Sequence, residues 1–288
     1  MTALHPGLRQ RSRVAVLNDS SLPEFTVLVD SDPVANAVVS ARVRAARTLE
    51  AARLGGLVVG VRQGDELVGA CYAGGSLVPV GGDLETWEAL ARYVAKRPHG
   101  CTSIVGRADA VGAIWPLLAP SWAPARSVRM NQPLLVFNGP APAGGDGTVR
   151  PARPDELERY VPAATAMFTE ELGVSPNVAP GSAAYRTRVS ELICAGRAFA
   201  SFDFRGQVTF KAEIAAVSPH TCQIQGVWVR PDLRGRGIGT ASLATVMAHA
   251  LVLAPTVSLY VNDYNTAARR MYARLGMRQL CTLATVLL

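Results

Sequence analysis

Arg234-Gly235-Arg236-Gly237-Ile238-Gly239 combines two guanidinium groups with three glycines in six residues. A strand-like run, Thr221–Val229, leads into it. The residues after it, Thr240–Leu253, have apolar positions at Leu243, Val246, Met247, Ala250 and Leu251, the i, i+3, i+4, i+7, i+8 spacing of a buried helix face. The segment is therefore a strand-to-helix turn. A helix N-terminus presents backbone N–H groups that have no partner within the helix, and it carries a partial positive charge. Glycines let the backbone approach an anion closely. Arg234 and Arg236 add charge at the rim. Such a turn suits a pyrophosphate, bound by the peptide groups of Arg234, Gly235, Arg236, Gly237, Ile238, Gly239 and Thr240.

Three kinds of phosphate loop have to be separated. A Walker loop ends in Gly-Lys-Ser/Thr, and here Gly239-Thr240 has no lysine. The dinucleotide fingerprint Gly-x-Gly-x-x-Gly would need a third glycine where Thr240 stands, and its strand opens a parallel unit. This strand instead follows two hairpin strands. The remaining pattern, Arg234-x-x-Gly237-x-Gly239, resembles the coenzyme A loop of the GNAT superfamily of N-acetyltransferases, Gln/Arg-x-x-Gly-x-Gly/Ala. Gln225-Gly226-Val227-Trp228-Val229-Arg230-Pro231-Asp232-Leu233 is similar to the family's preceding strand and bend. Leu259-Tyr260-Val261-Asn262 is similar to its next strand, and Asn265-Thr266-Ala267-Ala268-Arg269-Arg270-Met271-Tyr272-Ala273-Arg274-Leu275-Gly276-Met277 to its following helix. The likeness is carried by motifs over 223–279 and by element order over 148–288.

The resemblance implies acetyl-CoA as acyl donor, no metal, and a primary amine on a small molecule or protein as acceptor. It places the donor in a wedge between two splayed parallel strands, Thr221–Val229 and Val257–Val261. The pantetheine would pair with main-chain groups of Val227 and Val229, on either side of Trp228. Tyr272 matches the tyrosine that protonates the departing thiolate; an unperturbed phenol, with a pKa near ~10, holds its proton at neutral pH. Asn265 matches a cofactor-contacting asparagine and equally suits a helix N-cap. The general base stays open. Where family members carry a Glu on the fourth strand, this chain has Gln223 and Gln225. Glu213 is the nearest carboxylate in sequence, and it also faces Lys211 on its own strand. Glu170 and Glu171 fall in the region that lines the acceptor site. They could bind a cationic amine or act through water, and they read equally as solvated helix-end charges.

The elements that position these residues form two similar series. Asn138–Gly147, rich in Gly and Pro, separates them. The expected domains are 14–138 and 148–288. The second reads as a helix from Pro154 to about Phe168, a helix Tyr185–Cys194, a hairpin Arg197–Phe204 and Gln207–Val217, the site strands and helices above, and a last strand Arg278–Leu288. The first reads as a long helix from Asp32-Pro33 to about Leu54, strands at Leu57–Arg62, Leu67–Tyr72 and Ser76–Val80, a helix Leu84–Lys96, a strand Thr102–Val105, a helix Ala108–Leu118 and a terminal strand Ser127–Phe137. The expected fold is α/β (α+β): tandem GNAT-like domains, each a mixed, mostly antiparallel sheet flanked by helices, with the splayed pair in the C-terminal one. In the first series the corresponding turn is Pro79-Val80-Gly81-Gly82-Asp83. It lacks both arginines, and Asp83 at the helix start opposes a phosphate. The corresponding helix has Trp115-Pro116 and no tyrosine. The first domain is thus expected to be a degenerate copy without coenzyme A, serving as scaffold, part of the acceptor site or dimer contact.

The 288 residues suit two domains, and 49% hydrophobic content supports a core in each. Net charge is +7, but residues 1–144 carry 14 Lys+Arg against 11 Asp+Glu, and 145–288 carry 15 against 11. That even spread, with 6% aromatics, argues against a dedicated nucleic-acid binder. The five cysteines (Cys71, Cys101, Cys194, Cys222, Cys281) form no CxxC pair, and His5, His99, His220 and His249 have no metal-ligand spacing. No run approaches the ~18 apolar residues of a membrane helix, and the N-terminus lacks a signal-peptide core. A reduced cytoplasmic enzyme is expected. A coenzyme A-binding regulatory protein without turnover is the alternative.

Overall fold

A computed structural model describes residues 12–97, 100–176 and 182–288; His5 and His99 lie outside them. In chain order the elements are β1 (Ser12–Val16), α1 (Leu22–Asp30), α2 (Ala37–Ala46), α3 (Ala51–Leu54), β2 (Leu57–Gln63), β3 (Glu66–Ala73), β4 (Ser76–Gly81), α4 (Leu84–Val94), β5 (Ser103–Arg107), α5 (Ala108–Leu118) and β6 (Ser127–Phe137). There follow β7 (Arg150–Pro151), α6 (Leu157–Leu172), α7 (Ser182–Cys194), β8 (Ala198–Phe202), β9 (Val208–Val217), β10 (Cys222–Val229), α8 (Ile238–Leu253), β11 (Val257–Tyr260), α9 (Thr266–Arg274) and β12 (Arg278–Leu287).

The long helix expected over 32–54 is broken into α2 and α3, and α1 and β1 were not anticipated. Distant hydrogen bonds cause the break. Asp19 Oδ1 accepts from the Thr48 hydroxyl at 2.7 Å and from the Leu49 amide at 2.6 Å, drawing the chain out of helical geometry. Arg47 caps α2 with φ 55°, a left-handed conformation that ends the helix. The turns between strands follow local chemistry more directly. Gly64 and Gly206 take positive φ in the two hairpin turns that their sequences predicted.

The chain forms two compact units whose bounds differ from the expected 14–138 and 148–288. The first comprises residues up to Gln132 together with Thr282–Leu288; the second is Pro133–Cys281. The expected boundary at 138–147 lies inside the second unit. Asp146 there accepts from the Ser242 hydroxyl at 3.1 Å and donates its amide to the Ala241 carbonyl at 3.1 Å, and the Thr245 hydroxyl donates to the Asp146 carbonyl at 3.0 Å. Gly145 lies so close to α8 that a Cβ would sit 2.8 Å from Thr245 Oγ1. A segment that reads as a linker is thus fastened to a helix.

The first unit's strands run in the order β1-β2-β3-β4-β5-β12, and the second's in the order β7-β8-β9-β10-β11-β6. The two orders match, strand for strand. In the first, only β4 and β5 are parallel, paired at Ser76↔Ser103 and Leu77↔Ile104; β12 completes the sheet antiparallel to β5, from Leu283↔Arg107 to Leu287↔Ser103. In the second, only β10 and β11 are parallel, and the end of β6 completes the sheet, from Val257↔Phe137 to Tyr260↔Leu134. Each sheet therefore takes its sixth strand from the far side of the Asn138–Gly147 segment. Each sheet is covered on both faces. In the second unit, α8 and α9 close one core with Phe210, Ile214, Leu259 and Leu135, while α6 and α7 close another with Tyr160, Trp228 and Phe199's neighbours Ala198 and Ala200.

Candidate active site

The parallel pair in the second unit is short. β10 and β11 are joined at Cys222↔Val257 and Gln223↔Ser258 and nowhere further along. At that vertex the Thr221 hydroxyl meets Ser258 Oγ at 3.1 Å, and Ser258 Oγ reaches the Cys222 carbonyl at 3.3 Å. Beyond it the strands part. On its other side β10 also leaves its ladder: Gln225 pairs with Glu213 and Trp228 with Lys211, so Gly226 and Val227 oppose the single residue Ala212. This is a β-bulge, with Gly226 at φ 59°. It turns the main chain around Val227 away from β9 and toward the parting, where an extended ligand could pair with it. A glycine inside a strand signals such a bulge, although in the sequence Gly226 stands out only as a motif position.

A buried polar cluster lies beneath the bulge. Lys211, fully buried, is 2.5 Å from Glu213, itself 4% exposed. Gln225 Nε2 donates to Glu213 Oε2 at 2.8 Å, and the Tyr160 hydroxyl donates to Oε1 at 3.3 Å. A Cβ on Gly226 would sit 2.9 Å from Lys211 Nζ and 3.0 Å from Met167 Cε, so only glycine fits over the pair. Burial alone would raise the Glu213 carboxyl, but the Lys211 charge and hydrogen bond and the Gln225 amide outweigh it and hold the group below the usual carboxylate range. The same burial, together with Glu213, drives the Tyr160 phenol well above its ordinary value. Glu213, read from the sequence as the nearest candidate base, is thus a carboxylate already held by three partners beneath the bulge. The pairing with Lys211 is the one its strand position predicted, whereas Tyr160 has no place in the motif and emerges only from the fold.

The glycine turn takes the expected form. Gly235 and Gly237 have φ of 77° and 81°, and nothing lies within 4 Å of a Cβ built on either. Gly237 is the N-cap of α8. No side chain caps that helix, and its first turn holds no acidic residue. The Ile238 and Gly239 amides that open α8 are thus left for a ligand, whereas the Thr240 amide donates to the Gly237 carbonyl at 3.0 Å. Gly239 serves packing instead. A Cβ there would meet Met271 Sδ at 2.9 Å and Val229 Cγ2 at 3.2 Å, so the bare glycine lets α8, α9 and the end of β10 converge. Arg236 is exposed on the rim, and its charge helps keep Asp232 low, after the larger effect of Arg230. Arg234 folds back: its Nε donates to the Val229 carbonyl at 2.9 Å, and its Nη2 lies 2.7 Å from Glu170. Glu170 also accepts from Trp228 Nε1 at 3.1 Å. Expected at the acceptor, Glu170 therefore ties the end of α6 to the turn.

Asn265 Oδ1 accepts from the Ala268 amide at 3.1 Å, which makes it the N-cap of α9. Tyr272, one helical turn after Ala268, is 6% exposed in the core formed by α8 and α9, and Val227 and Val229 pack against that core. Burial, and then the charge of Glu171, raise the Tyr272 phenol above its ordinary value. Glu171, at the exposed end of α6, thus acts electrostatically on Tyr272, whereas Glu170 is held at the turn.

The first unit has the same parting between β4 and β5, but it is filled. A Cβ on Gly106 of β5 would lie 2.9 Å from Pro79 Cγ on β4, so the proline ring sits across the gap. Asp83 caps α4, accepting from the Thr86 amide at 3.0 Å, and Trp87 Nε1 donates to the Gly81 carbonyl at 2.8 Å. The helix start that would meet a phosphate is occupied by a carboxylate. Among the described residues no group of His, Cys, Asp and Glu forms a metal site, and no helix is long and apolar enough to cross a membrane.

Comparison with known proteins bears on these observations. Residues 194–277 match the acetyltransferase (GNAT) family model, and residues 56–160 match a domain of unknown function (DUF4081). No curated protein sequence matches the chain. Solved structures with the same fold include a Drosophila protein (14% identity, TM-score 0.68, 96% of this chain and 98% of that one). They also include a GCN5-related N-acetyltransferase from Sphaerobacter thermophilus (19% identity, TM-score 0.58, 96% of both chains). A third is a tandem GNAT protein from the clavulanic acid biosynthesis pathway (13% identity, TM-score 0.55, 96% of this chain and 98% of that one). The fold is a tandem GNAT-like fold. Residues 194–277 belong to the acetyltransferase (GNAT) family, and that stretch carries the glycine turn and Tyr272.

Proposed function

We propose that the protein is an acetyl-CoA-dependent N-acetyltransferase that acts on a primary amine of a small molecule or a protein, with one donor site per chain, in the second unit. The observation that carries this reading is the parting of β10 and β11 beside an uncapped helix start. Acetyl-CoA supplies the thioester. The chain's residues bind and orient it: main-chain groups at Val227 and Val229 align the pantetheine, and the amides from Gly235 to Gly239, with Arg236, take the pyrophosphate; of the turn expected over Arg234–Thr240, the two end amides are already donated to the Pro231 and Gly237 carbonyls. Asn265 fixes the start of α9 and so the position of Tyr272. Tyr272 keeps its proton until the thiolate departs. The attacking amine becomes cationic in that step, and a cation beside a phenol lowers its pKa toward transfer. Glu171 draws a cationic acceptor to this end of the site. Its charge reaches Tyr272, whereas Glu213 is spent on Lys211. The acceptor ammonium first loses one proton to solvent to become the nucleophile, and the proton shed by its nitrogen after attack restores the Tyr272 phenol, so that one proton is released per turnover.

The test is thiol release from acetyl-CoA across a panel of amines, peptides and aminoglycosides, run beside calorimetry with coenzyme A. Release with at least one acceptor supports the enzyme. Tight coenzyme A binding without release on any acceptor would establish a binding protein instead.

A further inference from the structure

The second unit has a basic depression that the donor site does not use. It has a volume of about 360 Å³ and lies at the β8–β9 turn, bounded by Arg150, Arg153, Arg159, Arg205, Phe202 and Phe204. Two carboxylates share its wall, and both are saturated. Glu156, 3% exposed, accepts a bidentate pair from Arg150 at 2.6 and 2.8 Å and the Arg153 amide at 2.8 Å. Asp203 accepts the amides of Arg205 and Gln207 at 2.9 and 3.0 Å and pairs with Arg230 at 2.7 Å. Arg159 and Arg205 have no carboxylate partner among the described residues. Arg159 is brought over the turn because Gly206 has no side chain; a Cβ there would lie 3.3 Å from its Nη1. Two rings complete the wall. Phe202 lies 5.4 Å from the Arg150 guanidinium, and Phe204 is 92% exposed beside Arg205.

An exposed phenylalanine has no folding benefit at such a tip, and the two exposed guanidiniums beside it, without a carboxylate partner among the described residues, are open to an anion. Guanidinium forks match phosphate oxygens, and aromatic faces accept a planar base. We propose that this depression binds a nucleotide phosphate, with Arg159 and Arg205 on the phosphate and Phe204 stacked on the base. The source is either a free mononucleotide or a segment of single-stranded nucleic acid. The site is separate from the Arg234–Thr240 turn and stands whether or not that turn binds coenzyme A.

The test uses the full chain with AMP, inorganic phosphate and a fluorescein-labelled oligothymidylate, measured by calorimetry and anisotropy. The Arg159→Glu/Arg205→Glu variant should weaken AMP binding by roughly tenfold or more, and Phe204→Ala should weaken AMP but not inorganic phosphate, as expected when the ring carries the base. Arg236→Ala should leave AMP affinity at this site unchanged. An oligothymidylate that binds far more tightly than AMP, with a salt dependence lost in the double variant, identifies a nucleic-acid strand as the source. Equal affinities identify a free nucleotide. The proposal is overturned if none of the three probes binds, or if binding survives the double variant. It is also overturned if binding is lost only with Arg236→Ala, which would assign it to the donor site. All substituted side chains are exposed, and circular dichroism checks that the variants fold.

Discussion

Tyr272 and Glu213 are both buried ionisable groups near one bulge, and their surroundings give them opposite uses. The Tyr272 hydroxyl has no protein hydrogen bond among the described residues, and burial keeps it protonated. Tyr272→Phe should leave the dissociation constant for acetyl-CoA near the wild-type value and lower kcat by roughly 10²–10⁴-fold, the usual worth of a positioned acid; steady-state kinetics beside calorimetry checks both. Glu213 is bound on every side. Lys211→Met should therefore strand a buried carboxylate and cost about 3–5 kcal/mol in urea unfolding. Glu156 supplies a pH signature. The Arg150 hydrogen bond, chiefly, holds its pKa at about 2 in the folded chain. A depressed carboxylate stabilises above its unfolded pKa, and that contribution is lost as pH falls through the folded value. Wild-type stability should thus decline between about pH 5 and pH 2 more steeply than that of Glu156→Gln, as read from urea midpoints at successive pH values. At this scale the sequence was legible where chemistry is local. The Arg234–Gly239 turn and the Asn265 cap lie within a few residues of their partners. Tyr160 reaches Glu213 across 53 residues, and no spacing rule reports that.

Elements were legible for a related reason. The β8–β9 hairpin, α8 and α9 announce themselves through alternation, helical period and caps, all of which act within one turn or pair. The helix expected over 32–54 failed because Asp19 captures Thr48 and Leu49 from outside the window. The bulge in β10 belongs here too, since it is set by one residue's conformation. Gly226→Ala would force a side chain into left-handed geometry, at about 1–3 kcal/mol, and press it on Lys211 Nζ. Thermal melts should show that loss, and coenzyme A affinity should fall with it, because the main chain around Val227 is displaced. An unchanged affinity would separate the bulge from donor binding.

For the whole molecule, length and the two matching series of elements disclosed two units of one architecture, but not which residues each contains. A division at a Gly- and Pro-rich segment is the natural reading. The sixth strands cross it because β11 needs Leu134, Leu135 and Val136, and β5 needs Leu283, Ala284 and Val286, all of them buried. Side chains of this kind contribute about 1.5–3 kcal/mol each when fully buried. A fragment spanning 133–281 should therefore give a dispersed amide spectrum and a cooperative melt, whereas 148–288 should give neither. Deleting 282–288 from the full chain should unfold the first unit at low denaturant. If 148–288 folds as well as 133–281, the strand from Pro133 to Phe137 is not part of that unit's core.

That exchange bears on how the chain is made. Domains commonly fold in the order in which they leave the ribosome. Here the unit that begins first cannot finish first. Its sheet stands with β5 as a bare edge while the whole second unit is synthesised, and an unpaired edge is a site for wrong pairing. Residues 282–288 close it. Birth order and completion order are thus reversed, and the segment that carries the glycine turn and Tyr272 reaches its final connectivity before the older half of the protein does.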